Sequence, residues 1–408
     1  MHFISKFNQP AARAFEKISS DVECFIEGTD FKATSEQGCI CHDNFKGKDC
    51  GIPRRMWIGA HVDSSVESIS TNFSSYGWSN STLTRRPKNQ RRLIHALPVN
   101  LEQDLFEARV ASLYEVVDVF LIGESNLTNS GGTRDPTFLN LLKAGWLKPY
   151  HDKIVHVFRS QQPPTGYEDG ALADAFMRSE LTQRGLEQLR DIGDDDIFLY
   201  TDGDELPRPE LLRFLKLYDN WPQPVAFKYK WAIFGFFWTV DEDVLATYSN
   251  PIPSAVTIDV LRDVYGNDSS LLRKALYYKG KDDNAHVLPI VENYRKKGTV
   301  IDQMSVMDAG WHCSWCFKPE GIRSKLLDAP KSDYPRYGDD RARTTVSYIK
   351  RLIKNGIYFN LSRLRKKGDE MTADKDPEFA PPYVQRHPDQ YKHLLENPYK
   401  NVYLPRSH

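Results

Sequence analysis

The sequence predicts an α/β protein: a mostly parallel sheet flanked by helices, preceded by a small module stapled by disulfides. Three observations carry that expectation. From Arg91 onward, short apolar runs alternate with amphipathic stretches, the pattern of strand–helix–strand units. Within that alternation the run Ile197–Tyr200 (IFLY) gives way to Asp202-Gly203-Asp204-Glu205, with three carboxylates in four residues. Upstream, four of the six cysteines fall within Cys24–Cys50, a segment with almost no core of its own.

At 408 residues and 47.0 kDa, the chain suffices for one large α/β domain with appendages, or for two domains. Its 54 basic and 55 acidic residues nearly cancel, so nothing suggests nucleic-acid binding or polybasic membrane attachment. No apolar run approaches the roughly 18–20 residues that span a bilayer, and the richest stretch, Trp231–Val240, is too short. The N-terminus, MHFISKFNQPAARAF, lacks the apolar centre of a signal peptide.

The N-terminal cysteines nevertheless argue for an oxidising compartment. Cys39-x-Cys41-x8-Cys50, in GCICHDNFKGKDC, resembles the C-terminal part of an epidermal-growth-factor-like module. Cys41–Cys50 and Cys24–Cys39 are the expected pairs, although sequence alone leaves the connectivity open. Zinc is the rival reading, with poor ligand spacing. Five Asn-x-Ser/Thr acceptors, at Asn72, Asn80, Asn126, Asn267 and Asn360, also favour the secretory pathway. A native anchor or signal missing from this chain would reconcile luminal chemistry with the absent entry signal.

Taken in order, residues 1–20 read as a flexible start, 21–52 as the disulfide module and 53–90 as a polar connector. The main domain follows at 91–366, then a Pro-rich wrapping tail at 367–408. Arg92–Pro98 is the first strand of the main domain. Glu102–Val117 places Leu105, Ala108, Val110, Leu113, Val116 and Val117 at helical spacing. Val119–Gly123 and Lys153–Phe158 are further strands, and Leu172–Leu189 is a long helix leading to the strand Ile197–Tyr200. Pro209 opens the next helix at a position where a missing N–H costs nothing. Ligands of such sheets bind at the C-terminal strand edges, where both Glu124 and the acidic cluster fall.

Carboxylates at positions i and i+2 across a glycine can turn toward one hard divalent cation that keeps open positions for water and phosphates. Asp202 and Asp204 are therefore candidate Mn2+ or Mg2+ ligands on a nucleotide-sugar diphosphate; a surface Asp-Gly turn is the plainer alternative. Val225–Val240 reads as two short β segments bending near Gly235 and rich in aromatics. About half of these belong in the core by ordinary burial. The others offer a platform for the apolar faces of sugars, with Trp231, Phe236, Trp238 and, further on, Trp311 as acceptor-binding candidates. Cys313-x2-Cys316 reads as a structural disulfide, with reduced buried thiols as the alternative.

Several segments recur together and in order: E-x-D-L-x-x-x-R (Glu102–Arg109), ESN-x-T (Glu124–Thr128), FMRSELTQRGL (Phe176–Leu186) and DGDELP. FLKLYD-x-W (Phe214–Trp221), GWHCSWCF-x-PEGI (Gly310–Ile322) and YKHLLENPYKN complete the set. Through them the chain resembles glycosyltransferase family 17, the bisecting N-acetylglucosaminyltransferases, from about residue 38 to about residue 400. The departures are a missing membrane anchor and stem, and Gly203 where the family leads one to expect alanine.

The resemblance implies a GT-A-type, Rossmann-like fold and a Golgi-lumenal enzyme. Its reaction would be metal-dependent, inverting transfer of N-acetylglucosamine from UDP-N-acetylglucosamine, in β1,4 linkage, to the core β-mannose of N-glycans. Under it, Asp202 and Asp204 hold the metal. His312 is a candidate for a further metal ligand or a diphosphate contact, against a packed histidine between two tryptophans. Arg178 and Arg184 are candidates for the diphosphate, against solvated helix faces. Glu124 is placed at the nucleotide, against strand-end capping. Asp308 and Glu320 are the candidate bases, although most carboxylates face solvent. Other donors or acceptors, and a catalytically inactive secreted carbohydrate-binding protein, remain alternative readings.

Overall fold

A computed structural model describes residues 2–3, 14–57, 69–71, 81–86, 90–128, 131–161, 170–241, 251–273, 301–328, 338–365 and 368–404. Four parallel strands form one half of the main sheet: β1 (Leu93–Pro98), β2 (Val119–Ser125), β3 (Ile154–Arg159) and β4 (Ile197–Tyr200), in the order β3-β2-β1-β4. Helices α1 (Gln103–Leu113), α2 (Thr137–Lys143) and α3 (Gly170–Glu187) connect them. Both faces of β2 and β4 are buried, which is why these strands read as unbroken apolar runs rather than alternating ones.

The other half follows through β5 (Glu205–Pro207), α4 (Pro209–Leu217), β6 (Gln223–Phe227), β7 (Lys230–Ile233) and β8 (Ile252–Thr257). After these come α5 (Ile258–Tyr265), α6 (Ser269–Leu272), β9 (Ile301–Val306), β10 (Gly310–Ser314) and α7 (Pro319–Asp328). The seven-stranded sheet continues β4-β8-β6-β9, and β8 runs antiparallel to both its neighbours. A three-stranded sheet, β5-β10-β7, stands beside it. It carries the acidic cluster's last carboxylate and the GWHCS segment on adjacent strands.

The N-terminal module holds both expected disulfides, Cys24–Cys39 and Cys41–Cys50. The first closes a separation of 15 residues, a constraint of about 3 kcal/mol on the unfolded chain in the chain-entropy account. Phe15–Lys17 pairs with Glu23–Phe25, so part of the stretch expected as a flexible start is a strand of this module. The module is also fastened to the main domain. The Tyr218 hydroxyl donates to the Asp49 carboxylate at 3.0 Å, and Arg213 meets Glu27 at 2.7 Å. Ile52 and Met56 enter the same apolar cluster as Leu211 and Phe214.

Of the expected connector, Ile69–Thr71 and Ser81–Arg85 form an antiparallel pair that extends to Tyr218–Asp219. Asn72 and Asn80 lie outside the described residues. The C-terminal segment folds as α8 (Val346–Asn355), α9 (Pro382–Arg386) and α10 (Pro388–Leu395). Phe379, Val384, Tyr391 and Leu394 pack there against Leu105, Phe236 and Trp311. No helix among the described residues is long and apolar enough to cross a membrane.

Strands β5 and β10 of the small sheet approach so closely that one residue has no room for a side chain. Gly310 has φ +150°, and a Cβ there would lie 2.0 Å from the Leu206 carbonyl oxygen. Gly310→Ala is expected to destabilise the fold by about 1–3 kcal/mol, the cost of overpacking, read as a lower urea midpoint. An unchanged midpoint would contradict the β5–β10 register.

Candidate active site

The C-terminal ends of β1 to β4 open into a cavity of about 420 Å3, as expected of a parallel sheet. Asn100 and Glu102 line it from beyond β1, Ser125 and Thr128 from β2, and Arg159 from β3. Asp174 and Arg178 reach it from α3, and Asp202, Gly203 and Asp204 from beyond β4. The facing wall carries Trp231, His312, Ser314, Trp315, Lys325, Asp328, Tyr358 and Asn360.

The acidic turn is built around a buried cation. Arg109, on α1 and wholly inaccessible to solvent, donates from Nη2 to the carbonyls of Asp202 (3.0 Å), Gly203 (3.1 Å) and Glu205 (2.6 Å). Burial lowers its pKa to about 10, which still leaves it charged at neutral pH. The Asp202 amide donates to the Glu205 carboxylate at 3.0 Å, closing the turn from the other side. Gly203 lies against β1, where a Cβ would stand 3.0 Å from the Pro98 carbonyl oxygen.

The two aspartates face different partners. Asp202 accepts from Arg178 at 3.2 Å and from Arg273 at 3.0 Å, and Arg273 also holds Glu205 at 2.7 Å. Burial pushes the Asp202 carboxyl up, but the two guanidiniums hold it well below the usual carboxylate range. Asp204 turns instead to His312, with Oδ2 and Nε2 3.4 Å apart. The His312 ring stacks on Trp231 at 6.0 Å, and Ser314 Oγ lies 3.0 Å from both His312 Nε2 and the Trp231 indole nitrogen. Burial raises the carboxyl pKa of Asp328 on the facing wall, partly offset by Arg134.

Among the described residues, no three carboxylate, imidazole or thiol groups form a metal cage by themselves. Asp204 and His312 do bring one oxygen and one nitrogen donor together, a set that suits a divalent cation completed by substrate oxygens and water. Asp202 is engaged by its two arginines, with Oδ1 accepting from Arg178 alone.

Several expected site residues stand elsewhere. Glu124 is buried at the end of β2, where it accepts the first amides of α2 from Phe138 (2.7 Å) and Leu139 (2.9 Å) and meets His156 at 2.8 Å. It anchors a helix N-terminus. Arg184 pairs with Glu180 at 3.5 Å on the outer face of α3. Asp308 forms the turn between β9 and β10, clamped by Arg55 at 2.8 Å and Arg208 at 3.1 Å, and does not line the cavity. Glu320 is exposed on the first turn of α7, also outside the cavity.

Among the proposed acceptor aromatics, Trp231 alone reaches the cavity. Phe236 is core; Trp238 donates to the Ile353 carbonyl at 2.7 Å, and Trp311 to the Glu378 carbonyl at 2.9 Å. Cys313 and Cys316 form a disulfide. At the sequons, Asn126 Oδ1 is buried, Asn267 sits in the turn after α5, and Asn360 is exposed on the cavity rim. Sequence reasoning missed Arg273, Lys325, Arg159 and the structural part of Arg109. Only Arg109 was signalled, inside the Glu102–Arg109 motif.

Residues 58–249 match glycosyltransferase family 17. The chain is 34% identical over 370 residues to the beta-1,4-mannosyl-glycoprotein 4-beta-N-acetylglucosaminyltransferase of Rattus norvegicus, an alignment covering 89% of this chain and 62% of that protein. The Homo sapiens protein of the same name is 34% identical over 377 residues, covering 90% of this chain and 63% of its own length. This chain therefore spans less than two thirds of the curated relatives it matches. Glucosyl-3-phosphoglycerate synthase from Mycobacterium tuberculosis, solved with UDP, aligns over 53% of this chain and 70% of its own at 16% identity, but its TM-score of 0.26 carries no argument.

The Asp204–His312 contact fixes a pH dependence. Burial disfavours the imidazolium, yet Asp204 raises the His312 pKa above its ordinary 6.5 overall. Burial likewise pushes the Asp204 carboxyl up, and His312 brings it below its ordinary 3.8. The pair's stabilisation is thus full between those two ordinary values and fades as pH rises through the raised imidazole pKa. In chelator-treated protein, the stability advantage of wild type over His312→Ala is expected to be larger at about pH 5.5 than at about pH 9 by urea unfolding. A difference independent of pH would contradict the ion pair.

Proposed function

We propose that this chain, whose residues 58–249 belong to glycosyltransferase family 17, is a GT-A-type inverting N-acetylglucosaminyltransferase. Its donor is UDP-N-acetylglucosamine, and its acceptor is the core β-mannose of N-glycans, joined in β1,4 linkage. The observation that carries this reading is the preformed acidic turn at the β4 edge, with His312 beside Asp204 and a sugar-sized cavity in front. The curated relatives supply the sugar, linkage and acceptor by their names.

In this reading Asp204 and His312 hold Mn2+ or Mg2+ on the donor diphosphate. When bound, the cation neutralises charge developing on the departing UDP. Arg178 and Arg273 keep Asp202 ionised and stand ready as further positive charge at that end. Trp231, with its indole fixed by Ser314, offers the flat face on which an acceptor sugar stacks. The group that takes the acceptor proton belongs among the carboxylates lining the cavity, which excludes Asp308 and Glu320. The disulfides and sequons support a lumenal, Golgi setting, with the N-terminal module as an epidermal-growth-factor-like appendage.

The test is mass spectrometry of a biantennary N-glycan incubated with the protein, UDP-N-acetylglucosamine and Mn2+, with a chelator control. One added N-acetylhexosamine on the core β-mannose, absent with chelator and absent in Asp204→Ala, is expected. Turnover by Asp204→Ala at the wild-type rate would sink the metal assignment. Transfer to another acceptor position would sink the acceptor assignment.

A further inference from the structure

We propose that Arg159 reads the base of the donor nucleotide, selecting uracil over cytosine by donating to the C4 carbonyl oxygen; this rests on the UDP-sugar reading of the cavity. Arg159 is the last residue of β3, is 3% exposed and lines the cavity. Among the described residues, its Nε and Nη1 atoms are buried without a hydrogen-bond partner. Buried guanidinium donors are costly to leave unmade, and a cavity-lining arginine with two such donors is arranged for a ligand acceptor. The Phe176 ring, 5.2 Å from the guanidinium carbon, packs against it.

Its place in the sheet says which part of the ligand it meets. Along the edge β3-β2-β1-β4, Arg159 stands beside Ser125, and the acidic turn follows β4 at the far side. Three strand spacings separate β3 from β4, or about 14 Å. A nucleoside diphosphate whose diphosphate lies at Asp204 and His312 reaches across that distance with its base, the ribose passing over the ends of β1 and β2. A guanidinium has only donors to offer. Uracil presents carbonyl oxygens on both sides of N3, whereas cytosine replaces one with an amino donor that would face the guanidinium unfavourably. Leaving such a buried donor unpaired is the kind of mismatch that discriminates strongly between ligands of equal size.

Calorimetric titration with UDP, CDP and inorganic pyrophosphate, each with Mn2+, tests this on the full chain. In Arg159→Met, UDP affinity is expected to fall about tenfold to a hundredfold, the loss of a charged hydrogen bond. The preference for UDP over CDP should shrink by a similar factor, while pyrophosphate binding stays at the wild-type level and reports an intact diphosphate end. Should Arg159→Met not fold, Arg159→Lys, which keeps the charge on a narrower donor, should show the same loss of base discrimination in smaller measure. An unchanged UDP-to-CDP ratio in the folded variants overturns the proposal. A parallel loss of pyrophosphate affinity also overturns it, placing Arg159 at the phosphates. Wild-type protein that binds pyrophosphate but not UDP overturns the donor reading itself, and Arg159's role with it.

Discussion

One buried charge under the acidic turn sets up the rest of the site. Three carbonyls of the segment Asp202–Glu205 converge on Arg109, and without that cation each would lose a charged donor in a closed interior. With it, the turn's carbonyls face inward and its aspartate side chains face the cavity. Arg273 and Arg178 then divide the negative charge, holding Glu205 and Asp202, and leave Asp204 to His312. Carboxylates crowded into one turn would repel; here each has a basic partner, so the turn is held in place before any ligand arrives. Preorganisation of this kind is what the departure of a diphosphate leaving group demands, since electrostatic stabilisation costs nothing at the moment of reaction if the charges are already placed.

The opposite wall is fixed from outside the main sheet. β10 carries His312 and Ser314, and the turn that feeds it, at Asp308, is gripped by Arg55, just past the N-terminal module, and by Arg208 from the main domain. Glu378 from the C-terminal segment meets the same two arginines, and the Arg208 guanidinium stacks over Trp311 at 4.1 Å. The segment just past the module, the main domain and the C-terminal segment therefore meet at the turn that leads into the imidazole's strand.

Much of this frame was legible. β1 to β4 and α1 stood out because buried parallel strands leave unbroken apolar runs and Leu105, Ala108, Val110 and Leu113 recur at helical spacing. The reversed strand Ile252–Thr257 did not, since inserting it between β4 and β6 is a long-range choice that no local pattern records. At the site, Asp202, Asp204, Arg178 and His312 were visible as residue types in the right order. The errors have one physical source. Glu124 and Trp311 sit in distinctive motifs, Asp308 just ahead of one and Trp238 in the aromatic stretch, because packing and capping need them, and a sequence pattern does not say which way a side chain points. Arg273 and Arg159 carried no local signal, because their partners lie strands away.

Hydrogen exchange of the turn tests the central role of Arg109 most directly. The amides of Asp202, Glu205 and Cys313, bonded to the Glu205 carboxylate, the Asp202 carbonyl and the Asp204 carbonyl, should be protected almost as well as those of Ile197–Tyr200 in the ligand-free protein. In Arg109→Met that protection should vanish at the turn while β4 remains protected. Free exchange of the turn amides in wild type, or protection that survives the substitution, would contradict a turn organised by this one buried cation.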